Sequence, residues 1–310
     1  MNTPLVKPYT DLNSHLKGIF GKRVQKLTVD AGFTCPNRDG HIARGGCIFC
    51  NEKGSGTGAH LLGTSITDQI VEGREALFKR YKSKLFLIYF QAYSNTYAPV
   101  ERLKELYDEA LAFDDVVGLS IGTRPDCIDE EKLKLLNDYS QEKLVWIEYG
   151  LQSPHDTTLD AINRGHDLAC FVEAVKLTQK IAPKVKICAH IILGLPGEDR
   201  EMMLEGARLL ADLGVDGVKL HLLYVVKETP LDTLYLDGKY TCMEEEEYVE
   251  TVCDFLELLP PEMVIQRLTG DPHRDELRAP EWPLKKGTTL KRIHDTFEAR
   301  GTRQGSRYTP

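Results

Sequence analysis

Residues 32–51 read Gly32-Phe33-Thr34-Cys35-Pro36-Asn37-Arg38-Asp39-Gly40 and, four residues on, Gly45-Gly46-Cys47-Ile48-Phe49-Cys50-Asn51. Three of the chain's eight cysteines fall in this stretch, spaced C-x11-C-x2-C. Cys47 and Cys50 are near enough to hold adjacent corners of one metal centre, and the glycine-rich excursion lets Cys35 return to a third. Structural zinc takes four ligands, so His41 or His60 would have to complete such a site. An iron–sulfur cluster normally takes four thiolates. Three would leave one iron open, the logic of a catalytic metal site. Plain buried thiols are a third reading. The other five (Cys127, Cys170, Cys188, Cys242 and Cys253) are scattered through apolar or helical segments, as small core side chains are.

The loop follows a β-branched run at Val24–Val29, and similar runs recur at 85–90, 116–121, 144–149, 185–193 and 217–223. Helical patterns separate them, at 66–81, 100–113, 129–139, 168–181 and 200–213, with one more expected at 244–258. Thr241 stands three residues before Glu244, the spacing of a capping box. Such alternation implies parallel strands with right-handed crossovers. Neither a Rossmann fingerprint nor a Walker A loop is present. The expected fold class is α/β, an open partial (β/α)6 TIM-type barrel with a C-terminal extension. The expected division is 1–23 N-terminal extension, 24–258 barrel, and 259–310 extension with a basic tail. The long segment 31–63 then sits at the C-terminal face of the barrel, where active sites gather.

The 310 residues carry 39 Lys+Arg against 47 Asp+Glu, a formal net charge of -8, with 42% hydrophobic residues. That apolar share excludes a disordered chain. The longest apolar run is far short of a membrane span, and the N-terminus lacks the apolar core of a secretory signal. A soluble cytoplasmic protein with no membrane partner is expected. The charge is uneven: residues 1–53 carry a net +4, residues 285–310 a net +5, and the remainder -17. Basic ends around an acidic body suit a polyanionic partner, or are solvated tails.

A three-cysteine loop after the first strand of a βα barrel resembles the radical S-adenosylmethionine superfamily. The text from Thr34 to Cys50 is most similar to its YhcC/YtqA-like branch, and Phe49 matches the aromatic residue usual before the last cysteine. Ser120-Ile121-Gly122-Thr123-Arg124-Pro125-Asp126, Glu148-Tyr149-Gly150-Leu151-Gln152 with Asn163-Arg164-Gly165-His166, and His190 through Glu198 all fall at strand ends. Together they resemble the radical domain of the Elongator catalytic subunit and, more loosely, oxygen-independent coproporphyrinogen oxidase.

The resemblance implies a 4Fe-4S cluster on Cys35, Cys47 and Cys50, whose open iron chelates the amine and carboxylate of S-adenosyl-L-methionine. It further implies an electron from a flavodoxin- or ferredoxin-type donor, reductive cleavage to a 5′-deoxyadenosyl radical, hydrogen abstraction, and oxygen sensitivity. Candidate cofactor contacts are Phe49, Gln91, Ser120, Thr123, Arg124, Asp126, Glu148, Gln152, Arg164, His190 and Gly194. Arg164 suits the carboxylate, Gln152 the methionyl end, Ser120 and Thr123 the ribose. Gln91 stands where many relatives have a Gly-Gly-Glu-type motif for the amine. Blander readings make Arg124–Asp126 a loop-bracing ion pair, Arg164 and His166 loop-ordering residues, Glu148 the partner of an Arg in the barrel mouth, and His190 a core imidazole. Lys219, His221 and Tyr224 are candidates to face substrate. The Elongator likeness points to tRNA, at the C5 side chain of a wobble uridine, with Lys285, Lys286, Lys291, Arg292, Arg300, Arg303 and Arg307 as phosphate contacts. The alternatives are a small-molecule radical enzyme, acting on a tetrapyrrole precursor for example, and a non-catalytic zinc or iron–sulfur module.

Overall fold

Each apolar run becomes a strand, and each amphipathic segment carries the chain back to start the next strand in parallel. The computed structural model describes residues 7–52, 54 and 59–310. In chain order the strands are β1 (Val24–Val29), β2 (Leu85–Phe90), β3 (Val116–Thr123), β4 (Leu144–Gln152), β5 (Lys186–Leu193), β6 (Gly217–Leu222), β7 (Val225–Val226), β8 (Val264–Arg267) and β9 (Leu277–Ala279). Seven pair in parallel in the order β1-β2-β3-β4-β5-β6-β8, while β7 and β9 form a separate antiparallel ribbon. The result is the expected open half-barrel with one strand more than the sequence reading. Val264-Ile265-Gln266-Arg267 was too short to show a strand period, and it joins the sheet from residues read as extension. Its outer edge is covered by the N-terminal segment, where the Ile265 N–H donates to the Thr10 carbonyl at 2.8 Å.

Crossover helices at Ile66–Tyr81, Glu130–Tyr139, Leu168–Ile181 and Arg200–Asp212 begin on the side-chain caps Ser65, Asp129, Asp167 and Asp199. The capping box expected from Thr241 does not form. The helix Glu245–Glu257 is capped by Glu244 without a side-chain hydrogen bond, because it starts four residues beyond Thr241. Among the described residues no helix is long and apolar enough to cross a membrane.

Strand residues alternate between the helix layer and the barrel interior. Ile88, Leu119, Ile147, Ala189 and Leu220 join the main core with the helices. On the other face Leu87, Trp146, Cys188 and Val264 form a separate apolar floor, closed from below by Leu16 of the helix Leu12–Phe20.

Above that floor lies a polar layer centred on Glu148, which is fully buried. Its carboxylate accepts hydrogen bonds from Lys26 of β1 at 2.5 Å, His190 of β5 at 2.8 Å, Ser120 of β3 and Lys219 of β6. Lys26 also donates to Gln266 of β8 at 2.7 Å, bridging the first and last strands of the sheet. The two ammonium groups lie 4.4 and 4.0 Å from the centre of the Tyr89 ring. Burial works to raise the pKa of Glu148, but Lys219 and Lys26 outweigh it and hold the carboxyl well below its usual range. Burial pulls Lys219 down to about 7. Burial and then the Lys219 charge bring His190 to about 4, and burial next to Arg267 holds His221 well below its usual value.

Removing the carboxylate strands two ammonium groups in a dry interior. Glu148→Ala is expected to cost about 3–5 kcal/mol, read as a lower urea midpoint. The histidines give the fold an acid sensitivity of definite sign. Neutral in the fold and protonated once unfolded, each draws a proton on unfolding at pH values between its folded pKa and 6.5. Stability therefore falls as pH drops below 6.5, and around and below 4.5 protonation of Glu148 in the unfolded chain adds to the loss. The slope is at most about 1.4 kcal/mol per pH unit for each histidine. Urea midpoints of the metal-free protein at pH 7 and 5 should show the loss, and His221→Asn should shrink it.

Candidate functional site

Beyond the polar layer the strand ends open into a cavity of about 820 Å³. One wall is the cysteine loop. Its backbone turns tightly after Cys35, whose carbonyl accepts from the Arg38 and Asp39 N–H groups at 2.8 and 3.1 Å, and again between Cys47 and Cys50 at 2.9 Å. The loop between these turns is irregular, so it is held by side-chain clamps. Asn37 Nδ2 donates to the Asn163 carbonyl at 2.6 Å, and Asn163 Nδ2 returns a bond to the Gly46 carbonyl at 2.7 Å. Ile48 is fixed through its backbone to Ile162 at 3.1 Å and Leu231 at 3.0 Å. Ile48 and Phe49 pack on an apolar cluster around Ile192, Leu195 and Tyr240. The loop is thus anchored to the segments after β4 and β7.

All three cysteines line the cavity, and none is in a disulfide. Among the described residues, no set of ligand atoms within 4.8 Å of one another, as a single ion would gather, includes these cysteines, His41 or His60. A guanidinium and a neutral amide lie against Cys47. Arg164 Nη1 lies 3.5 Å from Cys47 Sγ and Asn37 Nδ2 lies 3.8 Å from it. Burial and then the neighbouring Cys47 push the Cys50 thiol up to about 11, with Arg38 opposing. The Nε of Arg164 and the Oδ1 of Asn37 are buried without a partner. Three thiols sharing one wall, cations against them and unspent polar atoms suit an anionic cluster held by three thiolates.

The remaining candidates divide between the cavity and the structure beneath it. Phe49, Gln91, Thr123, Arg124, Gln152, Arg164, His190, His221 and Tyr224 line the cavity. Ser120, Glu148 and Lys219 lie in the polar layer, where Ser120 and Lys219 both donate to Glu148. Asp126 is not in the lining either: it takes a two-pronged bond from Arg124, at 2.8 and 2.5 Å, the loop-bracing pair among the sequence alternatives. Gly194 also lies outside the lining, its carbonyl accepting from the Tyr240 hydroxyl at 2.9 Å. Thr123 Oγ1 is 2.6 Å from Thr96 Oγ1.

Two features concentrate at the end of β4. Gly150 leaves room where a Cβ would come within 2.6 Å of both the Arg164 guanidinium and the Gln152 amide, and its carbonyl accepts from Arg164 Nη2 at 2.6 Å. Gln152 itself is held at φ 77°, a conformation costly for a residue with a side chain and typical of functional sites.

Sequence reasoning passed over Lys26, Asn37, Asn163 and Arg267. Asn37 and Asn163 stand beside residues it did select, and their side-chain amides were the available signal. The tail is arranged differently from the sequence expectation. Five of its seven cations are committed to acidic residues: Lys286 to Asp271, Lys291 to Asp295, Arg292 to Glu245, Arg300 to Glu250, Asp254 and Glu257, and Arg307 to Asp254 and Glu257.

Comparison with known proteins agrees with this geometry. The Radical SAM superfamily model matches residues 37–210, and the Radical_SAM C-terminal domain model matches 215–299. Bacillus subtilis YtqA is 43% identical over 299 residues, covering 96% of this chain and 92% of that protein. A tRNA uridine(34) acetyltransferase of Dehalococcoides mccartyi is 30% identical over 158 residues, which is 50% of this chain and 33% of that one. The solved structure of the archaeal Methanocaldococcus infernus Elp3, lacking its N-terminus, shares the fold with a TM-score of 0.68 at 18% identity, over 91% of this chain and 64% of that one. The three-cysteine wall, the half-barrel and these matches agree: the chain belongs to the radical S-adenosylmethionine superfamily.

Proposed function

We propose that this radical S-adenosylmethionine enzyme modifies tRNA, tailoring the C5 side chain of a wobble uridine, with Cys35, Cys47 and Cys50 as the cluster ligands. The observation that carries the site assignment is the single cavity lined by all three thiols together with Gln152, Arg164 and Thr123. When bound, the 4Fe-4S cluster supplies the electron that cleaves S-adenosylmethionine to a 5′-deoxyadenosyl radical, which takes hydrogen from the substrate. That electron comes from outside the chain; a flavodoxin- or ferredoxin-type protein in the cytoplasm is the proposed source.

The chain's own residues have three tasks. The clamped loop fixes the cysteines, so their spacing does not depend on regular structure. Arg164 and Arg38 offset the negative charge that three thiolates bring, and Arg164 keeps an Nε free for an acceptor. The polar layer beneath, closed around Glu148, keeps the cavity floor rigid and bars water from below, which protects a radical from quenching.

The tRNA substrate is supported by the 158-residue likeness to a tRNA uridine(34) acetyltransferase. The internal pairing of the tail cations favours a second reading, a small-molecule substrate, because it removes most of the phosphate contacts expected there. Anaerobic reconstitution with iron and sulfide, followed by reduction, should yield 5′-deoxyadenosine from S-adenosylmethionine by chromatography. Cys35→Ala, Cys47→Ala and Cys50→Ala should each abolish it, and product from any of them would remove that cysteine from the ligand set. Mass spectrometry of tRNA nucleosides from a deletion strain separates the substrates: an unchanged uridine profile leaves the small molecule.

A cationic donor on a ligand sulfur stabilises the more negative, reduced cluster. Arg164→Gln should therefore lower the cluster's reduction potential, measured by titration with electron paramagnetic resonance. An unmoved potential would limit Arg164 to bracing the loop.

A further inference from the structure

The cavity wall opposite in sequence to the cysteine loop, built from the last strand of the sheet, carries unspent positive charge. Arg267 ends β8 and lines the cavity. It is only partly exposed, yet its guanidinium makes no hydrogen bond or ion pair with any described residue. Arg274, exposed at the rim of the same cavity, is likewise without an ion pair. The nearby acids are engaged elsewhere: Asp271 by Lys286 at 2.9 Å and Glu276 by Asn51 at 3.0 Å. Beside Arg267, His221 has a buried Nε2 with no partner.

The interior around Arg267 is also unbalanced. The buried carboxylate of Glu148 already takes both Lys26 and Lys219. A half-buried guanidinium without a counter-charge, opening onto a cavity, is a ready partner for an anionic group of a ligand.

We propose that Arg267, assisted by Arg274 at the rim, is the subsite for a phosphate of a nucleotide substrate. A guanidinium fork matches two phosphate oxygens, and His221 and Tyr224 stand in the same wall to complete the contact. The choice of phosphate among oxyanions rests on the tRNA reading above; the fit to an anion does not.

The test uses reconstituted enzyme with S-adenosylmethionine and three probes: uridine 5′-monophosphate, uridine, and a short anticodon stem–loop RNA. The monophosphate should bind more tightly than uridine. Arg267→Gln should weaken the monophosphate about 10-fold or more, leave uridine and S-adenosylmethionine binding unchanged, and reduce the salt dependence of stem–loop binding by about one charge. Arg267→Lys, which keeps the charge but not the fork, should recover part of the loss and guards against a folding artefact. Equal monophosphate affinity in wild type and Arg267→Gln overturns the proposal, as does a matching loss of S-adenosylmethionine binding. If the monophosphate result holds while the wild type ignores the stem–loop, the subsite stands and the tRNA reading falls.

Discussion

A buried carboxylate must be answered by donors, and in this fold the answer is what draws the half-barrel together. Glu148 sits at zero exposure on the central strand. Its donors come from β1, β3, β5 and β6, and Lys26 extends the network to Gln266 on β8. No backbone hydrogen bond joins the first and last strands of an open barrel, so side chains must bridge them. An apolar layer at this height would pack the strands but would not tell β1 where β8 should lie. The network does so, at the cost of depressing the protonation of Lys219 and His190.

That constraint also separates floor from site. Residues two positions apart on one strand have opposite duties. Glu148 closes the interior, whereas Gly150, next above it, contributes a bare carbonyl and space for Arg164 and Gln152. On β6, Lys219 belongs to the network while His221 reaches the cavity. The cysteine loop rests over this rigid base and is fastened by Asn37 and Asn163, two amides that can donate and accept at once. A loop so rich in glycine would otherwise sample many conformations.

What was legible in the sequence follows from range. Strands β1 to β6 announced themselves through local apolar runs, and the three cysteines through local spacing. Both are properties of neighbouring residues. β8 escaped because four residues carry no period and its identity comes from pairing with β6 and with residue 10. The partners of Glu148 escaped for a similar reason: alternation turns it inward, but only the closed sheet brings Lys26, 122 residues away, to its carboxylate in place of the expected arginine. The basic tail misled in the opposite direction. A count of charges is local, while the acids that neutralise Arg300 and Arg307 lie on the helix Glu245–Glu257.

The pairing of the tail relocates the electrostatics of substrate binding. With five of its seven cations matched to acids, the tail itself gives a polyanion little reason to adhere. The unmatched guanidiniums of Arg267 and Arg274 are instead at the cavity. Attraction concentrated in a low-dielectric cleft is stronger and less screened by salt than the same charge spread over a tail. It also selects by fit, since only a group able to enter the cavity meets it. For an enzyme that generates a radical, a cavity that holds an anionic group of its substrate would couple substrate occupancy to the exclusion of water.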